Sequence, residues 1–365
     1  MKNNSSLVAP SGTPRWRFGA GRSVRNPALA LWGWSLIFFG DDDYSLTVLK
    51  HLLNFRGTSP KVATVVTRPP KPMGRKQILT PSPIELFARK QNIPFIHYQP
   101  QNIQHTVYNI QNTLTPNSLG VLASFGYILP KSILNLFPHG IINIHPSLLP
   151  QYRGATPVQH AIALGDKETG VTLFKLTPEI DKGEILAQET EPILPIDTTP
   201  TLTHRLFKKG SQLFINFLQN PKLYSSLPKT KNLIYTRRFT RQTGFVPWGN
   251  FYAMMENQPL LVKNLQNPLL KLRAKIEKCK MTNENWLKDL ARALNPWPGV
   301  WTIAPTTKGP LRLKLETKPI AWWSLRQEPR AGALGLVAKL AGKPKPISWN
   351  DFKKYYLTPP HPQSV

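Results

Sequence analysis

Cys279 is the only cysteine among 365 residues. One thiol can form no internal disulfide and build no thiolate metal cluster. The eight histidines fall in no His-Glu-x-x-His spacing, so no metal site is expected. Acids are scarce as well: 19 Asp and Glu stand against 47 Lys and Arg, a formal net charge of +28. An imbalance of that size points to a polyanionic partner, most often a nucleic acid. No apolar run reaches the length of a membrane span. A soluble, intracellular chain with no membrane partner is therefore expected. The first 40 residues hold no acid and carry Lys2, Arg15, Arg17, Arg22 and Arg25. That composition suits an organelle transit segment, but Pro10, Pro14 and Pro27 would interrupt an amphipathic helix. Residues 1–34 are read as a disordered basic extension, or as sequence upstream of the true start.

Charge is also unevenly placed. From Thr198 to the end there are 28 basic and 7 acidic residues, whereas eight acids cluster between Asp166 and Asp197. At 365 residues the chain has room for two domains. SLIFFG (35–40), KVATVVT (61–67), PFIHY (94–98), LGVLASF (119–125), GIINIH (140–145) and GVTLFKL (170–176) read as apolar strands. Helix-compatible segments alternate with the earlier strands, which predicts an α/β fold around a doubly wound, mainly parallel sheet. Ligands in such folds bind beyond the carboxyl ends of the strands. No Gly-rich nucleotide fingerprint follows the first strand, because Gly40 is succeeded by Asp41, Asp42 and Asp43. Three acids there would repel a phosphate. The spacing of 202–220 predicts a helix that closes the first domain, 35–220. Residues 221–234 suit a linker, and 235–365 form a basic second domain. In it VWTIA, LRLKLE and GLVAKLAG, spaced by Gly and Pro, suggest a small, OB-like β-barrel.

The strand GIINIH ends with Asn143 and His145, two residues apart and so on one face. Burying both costs several kcal/mol unless they are paired or used. Downstream, Asp181 sits in the order Asp-Lys-Gly-Glu between two strands. Together these three offer a donor for a developing oxyanion, a proton handler and a carboxylate to orient it. Such roles serve acyl transfer to an amine without a covalent intermediate. Ser147 lacks a nucleophile's setting.

IINIHPSLLPQYRGATPVQ (141–159) and TGVTLFKLTPEIDKGEILAQ (169–188) resemble the signature of the methionyl-tRNA formyltransferase family. ASFGYILP (123–130) is similar to the strand and loop that precede it. TRPPKPMGRKQILTPSPI (67–84) resembles the family's inserted basic loop, and ALNPWPGVW and KPISWNDFKKYYL resemble parts of its second domain. The resemblance implies a formyltransferase fold, 10-formyltetrahydrofolate as formyl donor, initiator Met-tRNA as acceptor and a role in translation initiation. It implies catalysis by Asn143, His145 and Asp181, a folate site lined by Ser147, Leu148, Leu149 and Pro150, and tRNA contact through Arg68, Lys71, Arg75 and Lys76. A monomer is the default. The signature is closer to the bacterial form, hence cytoplasmic, with the mitochondrial matrix or another organelle as the alternative. The chain departs from the family in placing Asp41 and Asp42 where Thr-Pro is usual, and residues 245–281 read as an insertion. Two other readings compete: formyl transfer to a small-molecule amine, and an inactive nucleic-acid-binding relative. Neither explains the basic half and the intact site together.

Overall fold

The computed structural model describes residues 34–55, 61–74, 76–220, 233–256, 258, 260, 265–276, 284–307, 309–319, 334–341 and 345–357. Residues 1–33 of the expected extension, Arg75, residues 221–232 of the expected linker and Cys279 lie outside them.

The chain opens with β1 (Ser35–Phe39), α1 (Asp43–Asn54) and β2 (Lys61–Thr67). Helix α1 starts where Asp42 caps it: the carboxylate accepts from Ser45 N–H while the Ser45 hydroxyl serves the Asp42 backbone. A hairpin follows, β3 (Lys71–Met73) and β4 (Ile78–Thr80), then α2 (Pro83–Lys90), capped by Ser82 with Pro83 in its first turn. Next come β5 (Phe95–His97), α3 (Ile103–Gln111), β6 (Ser118–Ala123), α4 (Lys131–Leu134), β7 (Ile141–His145) and the two-residue β8 (Arg153–Gly154). Helix α5 (Pro157–Leu164) precedes β9 (Glu168–Lys175), β10 (Ile185–Pro192) and the long α6 (Thr199–Gln219).

Seven strands make the main sheet, in the order β10-β9-β7-β6-β1-β2-β5. The five from β7 to β5 run parallel. Strand β9 lies antiparallel to β7, and β10 antiparallel to β9, so the sheet is mixed at one side. Alternation along β1 divides two cores: Leu36 and Phe38 pack with α1, α2 and α6, whereas Ile37 and Phe39 pack with α3 and α4. Helices on both faces are the doubly wound arrangement.

Beyond α6 lie β11 (Tyr235–Thr236), α7 (Trp248–Met255), α8 (Pro268–Ile276) and α9 (Glu284–Ala293). They are followed by β12 (Val300–Ala304), β13 (Leu311–Pro319), β14 (Leu334–Leu340) and α10 (Trp349–Tyr356). Strands β12, β13 and β14 form an antiparallel sheet of three; among the described residues it does not close into the expected barrel. Packing crosses the expected boundary at 220. Val158, Ile162, Leu202 and Leu206 of α5 and α6 share one core with Phe251, Leu269, Trp286 and Leu290 of α7, α8 and α9. Strand β11 also pairs, in parallel, with β8. Among the described residues no helix is long and apolar enough to cross a membrane.

Candidate active site

Strand β7 lies between β6 and β9, with its carboxyl end at His145. Ile142 and Ile144 turn into the core under α6, so Asn143 and His145 take the opposite face with Ile141. Asn143 is 8% exposed, and its side-chain amide has no hydrogen-bond partner among the described residues. A buried amide left open keeps both a donor and an acceptor for a ligand.

His145 is 5% exposed, and its Nε2 lies 3.2 Å from the carbonyl of Tyr152. A carbonyl only accepts, so Nε2 carries the hydrogen and neutral His145 keeps its lone pair on Nδ1. That nitrogen stands 3.9 Å from Oδ2 of Asp181. The gap is too long for a direct hydrogen bond. It is short enough for the carboxylate to stabilise an imidazolium once a proton arrives.

Asp181 occupies the loop between β9 and β10 in the left-handed region, φ 50°, a conformation short polar side chains tolerate. Its Oδ2 accepts the N–H of Gly154 at 2.7 Å. Gly154 has φ 113°, and a Cβ there would overlap the Thr236 carbonyl, so glycine is required. The carboxylate is thus anchored by a backbone group that no side-chain pattern reveals. Asn143, His145 and Asp181 share the strand tip and the facing loop. The arrangement can polarise a carbonyl, accept a proton and balance the resulting charge.

The turn at 147–150 is tied down internally. Ser147 Oγ donates to Gln151 O at 2.8 Å, Thr172 Oγ1 to Ser147 O at 2.6 Å, and Leu149 N–H to Thr172 Oγ1 at 3.0 Å. Gln188 Nε2 donates to Leu149 O at 2.8 Å. Ser147 and Leu149 are buried, and Leu148 lies against Gly170 of β9. The polar backbone of this turn is largely engaged within the protein.

Asp41 and Asp42, at the end of β1, have full partners. Asp41 Oδ1 accepts the Arg68 N–H at 2.7 Å, and Oδ2 accepts the Gly126 N–H at 2.9 Å. Ser124 Oγ donates to Asp42 Oδ2 at 2.6 Å. Burial outweighs these bonds and raises both carboxyls above the usual range. The acids tie the β2 and β6 loops to the β1 tip and leave that turn no anion site.

Of the four expected tRNA contacts, Lys71 and Lys76 are exposed on the β3–β4 hairpin, beside exposed Met73, Ile78 and Leu79. Arg68 differs. It is 8% exposed, and Nη1 donates to Pro69 O at 3.1 Å and to Thr80 O at 3.3 Å, closing the hairpin's base. Its guanidinium faces its own loop because the hairpin's two ends leave carbonyls there to satisfy. Among the described residues no group of His, Cys, Asp or Glu is placed to hold a metal ion.

Residues 36–218 match the formyl transferase family, half of the chain. The chain belongs to that family. Within it the chain is similar to methionyl-tRNA formyltransferases: that of Buchnera aphidicola subsp. Schizaphis graminum is 30% identical over 277 residues, covering 74% of this chain and 75% of the relative. The methionyl-tRNA formyltransferase of Halalkalibacterium halodurans is 36% identical over 228 residues, covering 61% and 70%. Among solved structures, the phosphoribosylglycinamide formyltransferase from Bacillus halodurans matches 51% of this chain and 93% of its own, at 22% identity and a TM-score of 0.42.

Proposed function

We propose that this protein transfers the formyl group of 10-formyltetrahydrofolate to the amino group of methionine on initiator Met-tRNA, for translation initiation. The observation that carries the reading is the unpartnered Asn143 amide two residues before a histidine whose free lone pair faces a carboxylate. The folate derivative supplies an activated formyl group. The Asn143 amide donates to the formyl oxygen as it gains negative charge. His145 accepts the amine proton at Nδ1, directly or through one water, as the amine nitrogen bonds to the formyl carbon; Asp181 stabilises the charged ring, and the proton passes to N10 of the folate as the formyl–N10 bond breaks and tetrahydrofolate leaves. Ser147, Leu148, Leu149 and Pro150 wall the folate site by shape, since their polar groups are largely satisfied within the protein.

Lys71, Arg75 and Lys76 contact phosphates of the acceptor RNA, while Arg68 closes the base of the hairpin that carries Lys71 and Lys76. The relatives named methionyl-tRNA formyltransferase and the excess of base after Thr198 favour a tRNA over a small amine. In this reading the protein is a monomer acting in the cytoplasm; the methionyl-tRNA formyltransferases it resembles come from bacteria. The test is formylation of labelled Met-tRNA against a free amine acceptor, with the folate donor in both. Transfer to Met-tRNA alone is expected, and transfer only to the small amine overturns the reading.

A further inference from the structure

His145 is held on its other side by a residue the reaction does not touch. The carbonyl that accepts its Nε2–H belongs to Tyr152, which sits in the left-handed region at φ 58°. That backbone is unfavourable for a bulky aromatic residue, at a cost on the order of 1–3 kcal/mol, and persists only where the surroundings enforce it. The Tyr152 side chain provides the enforcement. It is 2% exposed, packs on Ala161 and Leu164 of α5, and donates its phenol hydrogen to Asp166 Oδ2 at 2.6 Å.

Asp166 is itself held in place. It follows Gly165, which ends α5 at φ 77°. Burial pushes the Asp166 carboxyl up to about 6, against the opposing pull of the Tyr152 hydrogen bond and the Arg273 guanidinium of α8. Arg273 donates to Ala163 O at 3.2 Å and to Asp289 at 2.9 Å. It lies so close to Gly165 that a Cβ there would overlap its Nη2. Residues beyond 220 therefore supply the positive charge next to the Tyr–Asp pair.

We propose that Tyr152 and Asp166 are positioning residues for formyl transfer, their buried phenol–carboxylate hydrogen bond holding the Tyr152 carbonyl where it fixes the His145 tautomer. This rests on His145 being the proton acceptor. With Nε2–H engaged, the lone pair stays on Nδ1, toward Asp181. Without the phenol anchor the 151–154 turn relaxes and the imidazole loses its fixed orientation. The rate of transfer then falls, while the binding of either substrate does not change.

Steady-state formylation by full-length Tyr152→Phe, Asp166→Ala, Asp166→Asn, the Tyr152→Phe/Asp166→Ala double variant and His145→Ala tests this, with a melting curve for each. Tyr152→Phe and Asp166→Ala are each expected to lower kcat by about 10- to 100-fold with KM for both substrates within about twofold, since a small misplacement of a reacting group has effects of that size. The double variant falls no further than either single one. Asp166→Asn, whose amide oxygen still accepts the phenol hydrogen, recovers most of the rate. If Asp166→Ala does not fold, Tyr152→Phe against Asp166→Asn decides. Wild-type kcat in Tyr152→Phe beside an inactive His145→Ala overturns the positioning role alone, as does a rise in KM at constant kcat or losses that add in the double variant. A fully active His145→Ala overturns the site reading beneath it.

Discussion

Two strand tips of one sheet, β1 and β7, both carry buried polar side chains: Asp41 is 9% exposed at the first, Asn143 8% and His145 5% at the second. They differ in what those side chains still have to offer. At β1, both oxygens of Asp41 accept from backbone groups, and Asp42 is shared between a helix cap and Ser124. At β7, the Asn143 amide has no partner among the described residues, and His145 presents one nitrogen to a carboxylate beyond hydrogen-bonding reach. Burial alone does not separate a structural polar group from a reactive one. At these two tips the difference lies in unused hydrogen-bonding capacity.

The sharpest contrast follows from removing one group at each tip. Asn143→Ala should lower kcat on the order of 100- to 1000-fold, the usual consequence of losing an oxyanion donor. Its melting temperature should stay near wild type, because the amide makes no internal bond. A destabilised Asn143→Ala that keeps its rate would erase the distinction. Asp41→Ala should do the reverse. It leaves the Arg68 and Gly126 N–H groups unsatisfied, a loss of roughly 1–3 kcal/mol in urea unfolding for each group that water cannot reach. Activity per folded molecule should fall far less than in Asn143→Ala.

A smaller effect is expected on the hairpin. Lys71→Ala with Lys76→Ala should raise KM for Met-tRNA and flatten its salt dependence, each phosphate contact contributing a salt slope of about one. Arg68→Ala should instead lower stability with an unchanged salt slope. If Arg68→Ala behaves like the lysine variant, its inward guanidinium does not describe its role.

The smallest effect concerns pH. Asp166 titrates near 6 in the folded protein against an ordinary 3.8. A raised carboxyl binds its proton more tightly folded than unfolded, so its contribution is present below pH 3.8 and lost as pH rises through about 6. Asp166→Asn should therefore remove part of the fall in stability between those values, measured as melting temperature against pH.

Much of this was legible in the residues. The run GIINIH gave the strand, and the Asn-x-His pair gave one face of its tip. Strands VWTIA and LRLKLE of the second region fall within β12 and β13. The direction of β9 was not legible, since a buried apolar run reads alike in parallel and antiparallel pairing. Nor was the shared core, which joins residues roughly 100 positions apart with no local signal. Gly154 and the Tyr152 carbonyl escaped because they act through backbone atoms, which carry no residue-type signature. The charge of Arg68 is visible in the sequence, but its neighbours decide where that charge points.

The common core of α5 and α6 with α7, α8 and α9 has a practical consequence. A protein cut after residue 220 would bare Val158, Ile162, Leu202 and Leu206 to water, an oily scar on the flank of the catalytic half. A free-standing catalytic half would therefore need polar replacements along α5 and α6 before it could meet water on that side.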